Sequence, residues 1–265
     1  MTAESPDPIW DTIRAEVEND VKKEPALRNF FQGAVLDHRR LEDALGFHLA
    51  SKLESPIVGA AALRELMDEA FRSDPSIGES LREDIGAVCS RDPACRGFSY
   101  ILLYYKGFHA LQAYRVGHHF WTKGRIALAS YLQSRVSEVF GVDIHPAARI
   151  GKGILIDHAT SVVIGETAVV EDNVSMLHEV TLGGTGKQTG DRHPKVRRGV
   201  LIAAGAKILG NVEVGEGAKV GSCAVVLEDV PPHTTVVGIP ARVVGKTHNL
   251  PALDMDHRIS EGAGI

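Results

Sequence analysis

The stretch Val214-Gly215-Glu216-Gly217-Ala218-Lys219-Val220-Gly221-Ser222 shows the pattern that decides the fold, because an aliphatic residue returns after six positions with small and acidic residues between. A period of six fits neither an amphipathic helix nor an ordinary strand. It is typical of a hexapeptide β-helix, in which each repeat supplies one short flat face of a stacked coil. Three groups of residues follow this interval, the second two residues out of phase with the first: Ile144, Ile150, Ile156 and Val162; Ile164, Val170, Met176 and Leu182; and Ile202, Ile208, Val214, Val220 and Val226.

Composition and charge limit the classes of function. The chain has 265 residues, room for two domains, and its net charge of -5 disfavours a nucleic-acid partner. No apolar run approaches the length of a membrane span, and the acidic, proline-containing N-terminus is unlike a signal peptide. The three cysteines are an odd number and indicate reduced thiols. We therefore expect a cytoplasmic protein that binds neither membranes nor nucleic acid.

Three regions differ in pattern. Residues 1–140 have apolar positions at helical spacing and predict an all-α domain. Residues 141–248 carry the repeats, interrupted over 183–199 by a Gly-rich, charged stretch that should project as a functional loop. Residues 249–265 have no period and predict a flexible tail. The expected helices cover residues 9–22, 25–53, 57–72, 76–89, 99–121 and 124–140.

Polar residues on the repeats are the candidates for chemistry, because a β-helix buries only a narrow aliphatic column. Four pairs stand out: Asp143 with His145, Asp157 with His158, His178 with Glu179, and Arg192 with His193. An imidazole whose tautomer is fixed by a carboxylate can act as a general base. Asp143 and His158 are fifteen residues apart, about one coil, and strands of neighbouring coils lie ~4.8 Å apart. A hydrogen bond between these two side chains is therefore within reach.

Several motifs together resemble the serine O-acetyltransferases. In the repeats these are Asp143-Ile-His-Pro-Ala-Ala-Arg, Asp157-His-Ala-Thr and Gly190-Asp-Arg-His-Pro-Lys, and in the helical half Arg91-Asp-Pro-Ala and Lys106-Gly-Phe-His-Ala-Leu-Gln. Other hexapeptide acyltransferases share the repeats but lack the helical half and the Gly-Asp-Arg-His-Pro loop. The resemblance covers most of the chain. It implies an α + β fold class, an N-terminal all-α domain followed by a left-handed parallel β-helix.

The resemblance also implies the reaction and its catalytic residues. His158 would take the proton of the serine hydroxyl and Asp143 would orient the imidazole. The hydroxyl would then attack the thioester of acetyl-CoA directly, giving O-acetyl-L-serine. A positioned base is worth about 10²–10⁴ in rate, and no Cys or Ser adjoins His158 to form an acyl-enzyme.

The remaining site residues follow from the resemblance and, for the cofactor groove, from the small size of their side chains. Arg192 and His193 would bind the serine carboxylate, and Asp92 and Asp157 the ammonium, with Pro93 beside them. Small residues would line the groove for the pantetheine arm, and their backbone N–H groups could also meet the oxyanion. Two cations would meet the nucleotide phosphates. The residues concerned are Gly183, Gly184, Ala203 and Ala204 for the groove, and Lys219 and Arg242 for the phosphates. Two positions depart from the family pattern: His178 replaces an expected glutamine and Ala203 an expected glycine.

Three other classes of protein share part of this pattern. A β-helix carbonic anhydrase would hold zinc through histidines of adjacent subunits, such as His158, His178 and His193, but the cationic Arg192 would oppose a metal. A hexapeptide acetyltransferase for a sugar or an antibiotic would not need the charges of Asp92 and Arg192. A pure scaffold leaves the match at Asp143 and His158 unexplained. We therefore expect acetyl-CoA as co-substrate and no metal.

Partners follow from the resemblance as well. The chain should form a trimer through the β-helix, with trimers paired through the helical half into a hexamer. L-cysteine, the end product of the pathway, should inhibit by occupying the serine site. The terminal Ile265, an aliphatic residue beside a free carboxylate, should bind O-acetylserine sulfhydrylase as a mimic of an amino-acid substrate.

Overall fold

The computed structural model describes residues 6–187 and 189–259, and begins with a bundle of helices. The bundle core is aliphatic and aromatic, with Ile13, Leu45, Leu81 and Phe120 fully buried. The helices are α1 (Pro8–Lys23), α2 (Arg28–Phe31), α3 (Leu41–Leu53), α4 (Ala60–Ser73), α5 (Pro75–Arg91), α6 (Phe98–Tyr104), α7 (Lys106–Thr122) and α8 (Ile126–Phe140). None of these helices is long and apolar enough to cross a membrane.

The helix predicted over 25–53 is wrong as one element. A 3₁₀ turn (Pro25–Leu27), α2 and a π turn (Gln32–Leu36) lead to an irregular segment before α3. Side chains of α1 bind the carbonyls there: Trp10 Nε1 donates to the Arg39 carbonyl at 2.8 Å, and Arg14 donates to the His38 carbonyl at 2.7 Å. These contacts replace the hydrogen bonds that a continuous helix would make.

The second half is a parallel β-helix with three faces. Face A contains β1 (Val142–Ile144), β4 (Val162–Ile164), β7 (Thr181–Gly183), β10 (Lys207–Leu209) and β13 (Val225–Val226). Face B contains β2 (Arg149–Ile150), β5 (Val169–Val170), β8 (Lys195–Val196) and β11 (Glu213–Val214). Face C contains β3 (Leu155–Ile156), β6 (Ser175–Met176), β9 (Leu201–Ile202), β12 (Lys219–Val220), β14 (Thr234–Val237) and the antiparallel β15 (Arg242–Lys246). The predicted fold class, helices followed by a parallel β-helix of hexapeptide repeats, is confirmed.

The spacing between paired strands explains both irregularities of the repeat. Val163 pairs with Thr181, eighteen residues on, which is a regular coil of three repeats. Val142 pairs with Val162 after twenty residues, and the two extra residues enlarge the turn 157–161. Val169 pairs with Lys195 after twenty-six residues, because the segment 184–194 leaves the coil. The phase shift in the sequence therefore marks an enlarged turn, and that turn contains His158.

Buried polar side chains attach the helices to the first coil. The Asp84 carboxylate, fully buried between α5 and α7, accepts two hydrogen bonds from Arg115 and one from the Ile154 amide. Arg115 also donates to the Gly151 carbonyl at 2.7 Å. Breaking such a buried pair by removing one partner costs about 3–5 kcal/mol. The network fixes the helical half against the β-helix.

Part of the predicted flexible tail is packed. A short helix, α9 (Pro251–Asp254), lies on face C, with Ala252 fully buried. The Ala252 amide donates to the Gly199 carbonyl at 3.2 Å, and Ser175 Oγ donates to the Ala252 carbonyl at 2.8 Å. Residues 250–254 are packed because Leu250 and Ala252 find an apolar surface that a sequence period does not reveal, and the mobility of the tail beyond Asp254 stays a prediction. Residues 260–265 of the tail, including Ile265, lie outside the described residues.

Candidate active site

The enlarged turn after β3 presents His158 at the corner between faces C and A. Three non-glycine residues of this turn have left-handed backbone: His158 (φ +55°), Ala159 (φ +58°) and Ser161 (φ +62°). Such conformations are costly and concentrate at functional sites. The His158 side chain is 75% exposed, with Nε2 3.9 Å from Asp157 Oδ2, and its ring meets that of His178 edge-on at 5.9 Å. The predicted base is thus available to a ligand from solvent.

Asp143 lies in β1, on the outer side of face A. Its carboxylate accepts a hydrogen bond from Gln133 Nε2 of α8 at 2.7 Å. Within one chain, Asp143 and His158 share no hydrogen bond or ion pair, so the dyad stays a prediction. The two extra residues between His158 and β4 lengthen the path to the strand paired with Asp143.

Asp92 caps the C-terminus of α5, and the structure places it near the His158 turn. One oxygen of its carboxylate accepts from the Ala94 amide at 2.8 Å, and the other accepts from the Tyr105 hydroxyl at 3.0 Å. Burial and this hydrogen bond raise the pKa of Tyr105, and the charge of Asp157 adds to the effect. Tyr105 therefore remains a donor and lies close to both predicted ammonium-binding carboxylates. Pro93 follows on the exposed part of the loop.

Tyr105 was missed by sequence reasoning, which placed it inside one helix over 99–121. The structure breaks that helix at Tyr105, whose backbone is extended (φ -85°, ψ 101°), and begins α7 at Lys106. Lys106 Nζ then donates to Thr160 Oγ1 of the enlarged turn at 2.5 Å. The adjacent Tyr104 and Tyr105 at the end of an apolar run are the sequence signal that could have marked this break.

Arg192 and His193 lie at a second corner, between faces A and B. Arg192 donates to Glu166 at 2.6 Å, and this bond lowers the pKa of Glu166. His193 Nδ1 accepts from the Thr167 amide at 3.2 Å, and burial together with the Arg192 charge lowers the pKa of His193. The neutral ring therefore carries its proton on Nε2, which lies beside Gly165 and Gly184. Sequence reasoning missed Glu166 and Thr167, which belong to an ordinary repeat turn.

The two corners are at opposite ends of the strands of face A. The His158 turn leads into β4, and the loop with Arg192 and His193 leaves β7. A three-residue strand spans roughly 10 Å, so one chain does not bring these groups around one small ligand. The same separation divides the groove candidates, since Gly183 ends β7 and Gly184 follows it, whereas Ala203 and Ala204 precede β10.

The candidates for the nucleotide phosphates and the oxyanion differ in availability. The Ala203 amide donates to the Val220 carbonyl at 2.9 Å and is not free for an oxyanion. Lys219 is nearly buried, its Nζ donates to the Arg258 carbonyl at 2.7 Å, and burial lowers its pKa. Arg242 is exposed at the start of β15.

The zinc interpretation finds no preformed centre in this chain. Among residues 6–187 and 189–259, no group of three or more His, Cys, Asp or Glu side chains is arranged to hold a metal ion. His193 faces Thr167 at the second corner, away from His158 and His178.

Comparison with known proteins agrees with this architecture. The β-helix and its polar corners define a hexapeptide-repeat acyltransferase, and the family model for bacterial transferase hexapeptide (six repeats) matches residues 193–228. The model for the serine acetyltransferase N-terminal domain matches residues 9–113. The serine acetyltransferase of Salmonella typhimurium is 56% identical over the full length of both chains. The chain therefore belongs to the serine acetyltransferase family and is an acyltransferase.

Solved structures extend the comparison to ligands. Serine acetyltransferase from Brucella abortus in complex with coenzyme A has a TM-score of 0.90 at 52% identity, covering 92% of this chain and 97% of the other. A serine acetyltransferase in complex with cysteine has a TM-score of 0.93 at 52% identity, covering 95% of this chain and 98% of the other. The Neisseria gonorrhoeae serine acetyltransferase in complex with serine has a TM-score of 0.87 at 51% identity, covering 90% of this chain and 98% of the other.

Proposed function

We propose that this protein transfers the acetyl group of acetyl-CoA to the hydroxyl of L-serine, giving O-acetyl-L-serine and CoA in the first step of cysteine synthesis from serine. The observation that carries the proposal is the placement of Asp92 and Asp157 around Tyr105, beside the exposed His158. An amino-acid ammonium fits this anionic corner, whereas a neutral acceptor would not need it. The relatives bound to coenzyme A and to serine support both substrates.

In the proposed mechanism, His158 accepts the hydroxyl proton as the serine oxygen attacks the thioester carbon. The new C–O bond forms a tetrahedral intermediate, the C–S bond breaks, and the imidazolium returns the proton to the departing CoA sulfur. The role of Asp143 is to fix the imidazole tautomer and to stabilise the imidazolium. The exposure of His158 supports direct attack, because both substrates must reach one imidazole.

We further propose that the serine site is completed between two copies of the chain. The His158 corner supplies anions for the serine ammonium, and the Arg192 and His193 corner of a neighbour supplies donors for the carboxylate. His193 suits this role because its Nδ1 accepts from the Thr167 amide, which leaves Nε2 as the donor of the neutral ring. A base that is 75% exposed also needs a second surface to exclude water. Such head-to-tail contacts close into a trimer, and pairing of helical halves would give a hexamer.

L-cysteine fits the same proposed site. It offers the same ammonium and carboxylate with a thiol in place of the hydroxyl, so competition with serine is expected. The cysteine-bound relative supports this inhibitor.

The test of the proposed function is a thiol-release assay with acetyl-CoA and a panel of amino acids and sugars. L-serine should be the preferred acceptor, and His158→Asn should lower turnover by about 10²–10⁴-fold without loss of acetyl-CoA binding. Asp143→Asn should cost less, because the base is still present. His178→Gln is the matched control, since it removes the neighbouring imidazole and should keep most activity. Normal turnover by His158→Asn would remove the proposed base, and transfer to a sugar alone would overturn the substrate.

We also propose that Ile265 carries binding to O-acetylserine sulfhydrylase. Ordering a short tail costs about 1–2 kcal/mol per residue, so a good anchor is needed, and an aliphatic side chain beside a carboxylate provides one. Deletion of Ile265 should leave acetyl transfer unchanged and abolish binding measured by titration calorimetry. Undiminished binding by the shortened chain would place the contact elsewhere.

A further inference from the structure

Arg91, the last residue of α5, spans the boundary between the helical half and the β-helix. Its guanidinium is 7% exposed and donates three hydrogen bonds: Nη1 to the Gly153 carbonyl at 2.9 Å and to Ser175 Oγ at 3.2 Å, and Nη2 to Asn173 Oδ1 at 2.9 Å. All three acceptors belong to turns or strands of the first two coils. The planar fork of an arginine loses little entropy on making several such bonds, so the contact is rigid.

The residue that follows Arg91 is Asp92, the proposed ligand of the serine ammonium. Asp92 caps α5, and its carboxylate is further fixed by the Ala94 amide and the Tyr105 hydroxyl. The orientation of the carboxylate therefore depends on local bonds, whereas its distance from the β-helix depends on the end of α5. Arg91 is the side chain at that end which binds the β-helix.

The attachment of Arg91 is not needed merely to hold the two halves together. Arg115, with Asp84, already attaches α5 and α7 to the first coil through the Gly151 carbonyl. Arg91 also leaves its buried Nε without a partner among the described residues, and burial lowers its pKa to about 10. A buried cation with an unsatisfied donor lowers the stability of the fold. Its presence at this position therefore points to a role other than stability.

We propose that Arg91 is a positioning residue for serine: it sets the distance between the Asp92 carboxylate and the Asp157–His158 turn, and so the fit of the serine ammonium. The inference rests on the proposed function, in which Asp92 binds that ammonium. Misplacement of a binding group by about 1 Å can cost 10²-fold, so even a small shift of α5 is measurable.

The test uses Arg91→Lys in the full chain, because lysine keeps the charge but cannot form the fork. We expect the KM for serine to rise about tenfold, with kcat and the KM for acetyl-CoA within about twofold of the parent, since ground-state binding alone is lost. Asn173→Gly is a milder second variant that removes one acceptor at a position whose φ of +60° suits glycine. It should raise the serine KM by about two- to threefold.

The matched control is Arg115→Lys, which weakens the attachment of the same two helices to the same coil without adjoining Asp92. Its thermal stability should fall while its serine KM stays at the parent value. Equal changes of serine KM in Arg91→Lys and Arg115→Lys would overturn a positioning role and show general loosening. If Arg91→Lys does not fold, an unchanged serine KM in Asn173→Gly overturns the proposal.

Asp92→Asn separates this inference from the proposed function. If it leaves the serine KM unchanged, Asp92 does not bind the ammonium and the proposed site fails. If it raises the serine KM while Arg91→Lys and Asn173→Gly do not, the site stands and the role of Arg91 is wrong.

Discussion

Gly107 of α7 lies directly against the backbone of Ile156, the residue before the enlarged turn. A Cβ atom at position 107 would be 2.0 Å from the Ile156 carbonyl oxygen and 3.1 Å from Ala159 Cβ. Only glycine permits this approach, so the start of α7 and the turn that carries His158 are packed as one unit. The contact also sets Tyr105 beside Asp92 and Asp157, because Tyr105 immediately precedes α7.

Gly107→Ala should therefore displace α7 from the His158 turn. We expect overpacking to lower the free energy of unfolding by about 1–3 kcal/mol and the kcat/KM for serine to fall severalfold. Gly117→Ala, in the same helix, is the control, since its Cβ would have no atom closer than 4.0 Å. It should be neutral or stabilising by about 0.5–1 kcal/mol. Chemical denaturation and steady-state kinetics measure both effects, and a Gly107→Ala enzyme with parent kinetics would contradict the coupling.

The proposed shared site makes a prediction about mixed assemblies. His158→Asn and Arg192→Ala should each be nearly inactive alone. After unfolding and refolding together, chains with an intact His158 can meet neighbours with an intact Arg192, so about a quarter of the sites should recover. Mixing without refolding is the control. No recovery in assemblies shown by sedimentation to contain both variants would place the two corners in separate sites, and an active monomer would exclude the shared site.

The β-helix could be predicted because its period is imposed by the coil itself. Successive aliphatic residues at the six-residue interval lie on the three faces in turn. The two-residue phase shift corresponds to the enlarged turn that holds His158. The break of the helix at Tyr105 could not be predicted from a helical period. The irregular segment before α3 could not be predicted either, since Trp10 and Arg14 stabilise that segment from another helix. The packing of residues 250–254 on face C could not be predicted for the same reason, because it depends on a surface formed by distant strands.

For the site, the sequence supplied residue types but not their grouping. The resemblance named Asp92, Asp157 and His158, and the structure places them at one corner. It assigned no role to Tyr105 or to Arg91, although Arg91 opens one of the matching motifs, and the roles proposed for them rest on contacts between the two halves. Arg192 and His193 lie at the other corner, and the separation of the two corners by the strands of face A could not be read from the residue types alone.

The hydrogen bond from Lys219 to the Arg258 carbonyl leads to a prediction about acetyl-CoA. If Lys219 binds a nucleotide phosphate, the C-terminal segment must first release the Lys219 ammonium. The apparent affinity for acetyl-CoA is then reduced, because only molecules with a released Lys219 can bind the phosphate. Truncation after Asp254 keeps α9 and should lower the KM for acetyl-CoA by about two- to fivefold. In a Lys219→Met background the truncation should have no effect. Equal KM values for the full and truncated chains would remove Lys219 from the phosphate site or the segment from its control.

Two buried histidines of the helical half predict how stability depends on pH. His48 Nε2 lies 3.1 Å from the Leu103 carbonyl and His109 Nε2 lies 2.7 Å from the Leu102 carbonyl. Burial lowers the pKa of His48 to about 4 and that of His109 to about 3. The folded chain therefore keeps both rings neutral where the unfolded chain, with a histidine pKa near 6.5, takes up protons.

Stability should accordingly be complete above about pH 6.5 and fall as the pH decreases toward about 4, with each histidine contributing up to about 1.4 kcal/mol per pH unit. Urea unfolding at pH 7.5, 6 and 5, at one protein concentration, measures the slope above the range in which carboxylates titrate. His109→Gln should flatten it, because an amide can donate to the Leu102 carbonyl but does not ionise. His257→Gln, at an exposed position, removes an imidazole outside the core and should leave the slope unchanged. A His109→Gln slope equal to that of the parent would show that His109 is not held neutral by the fold.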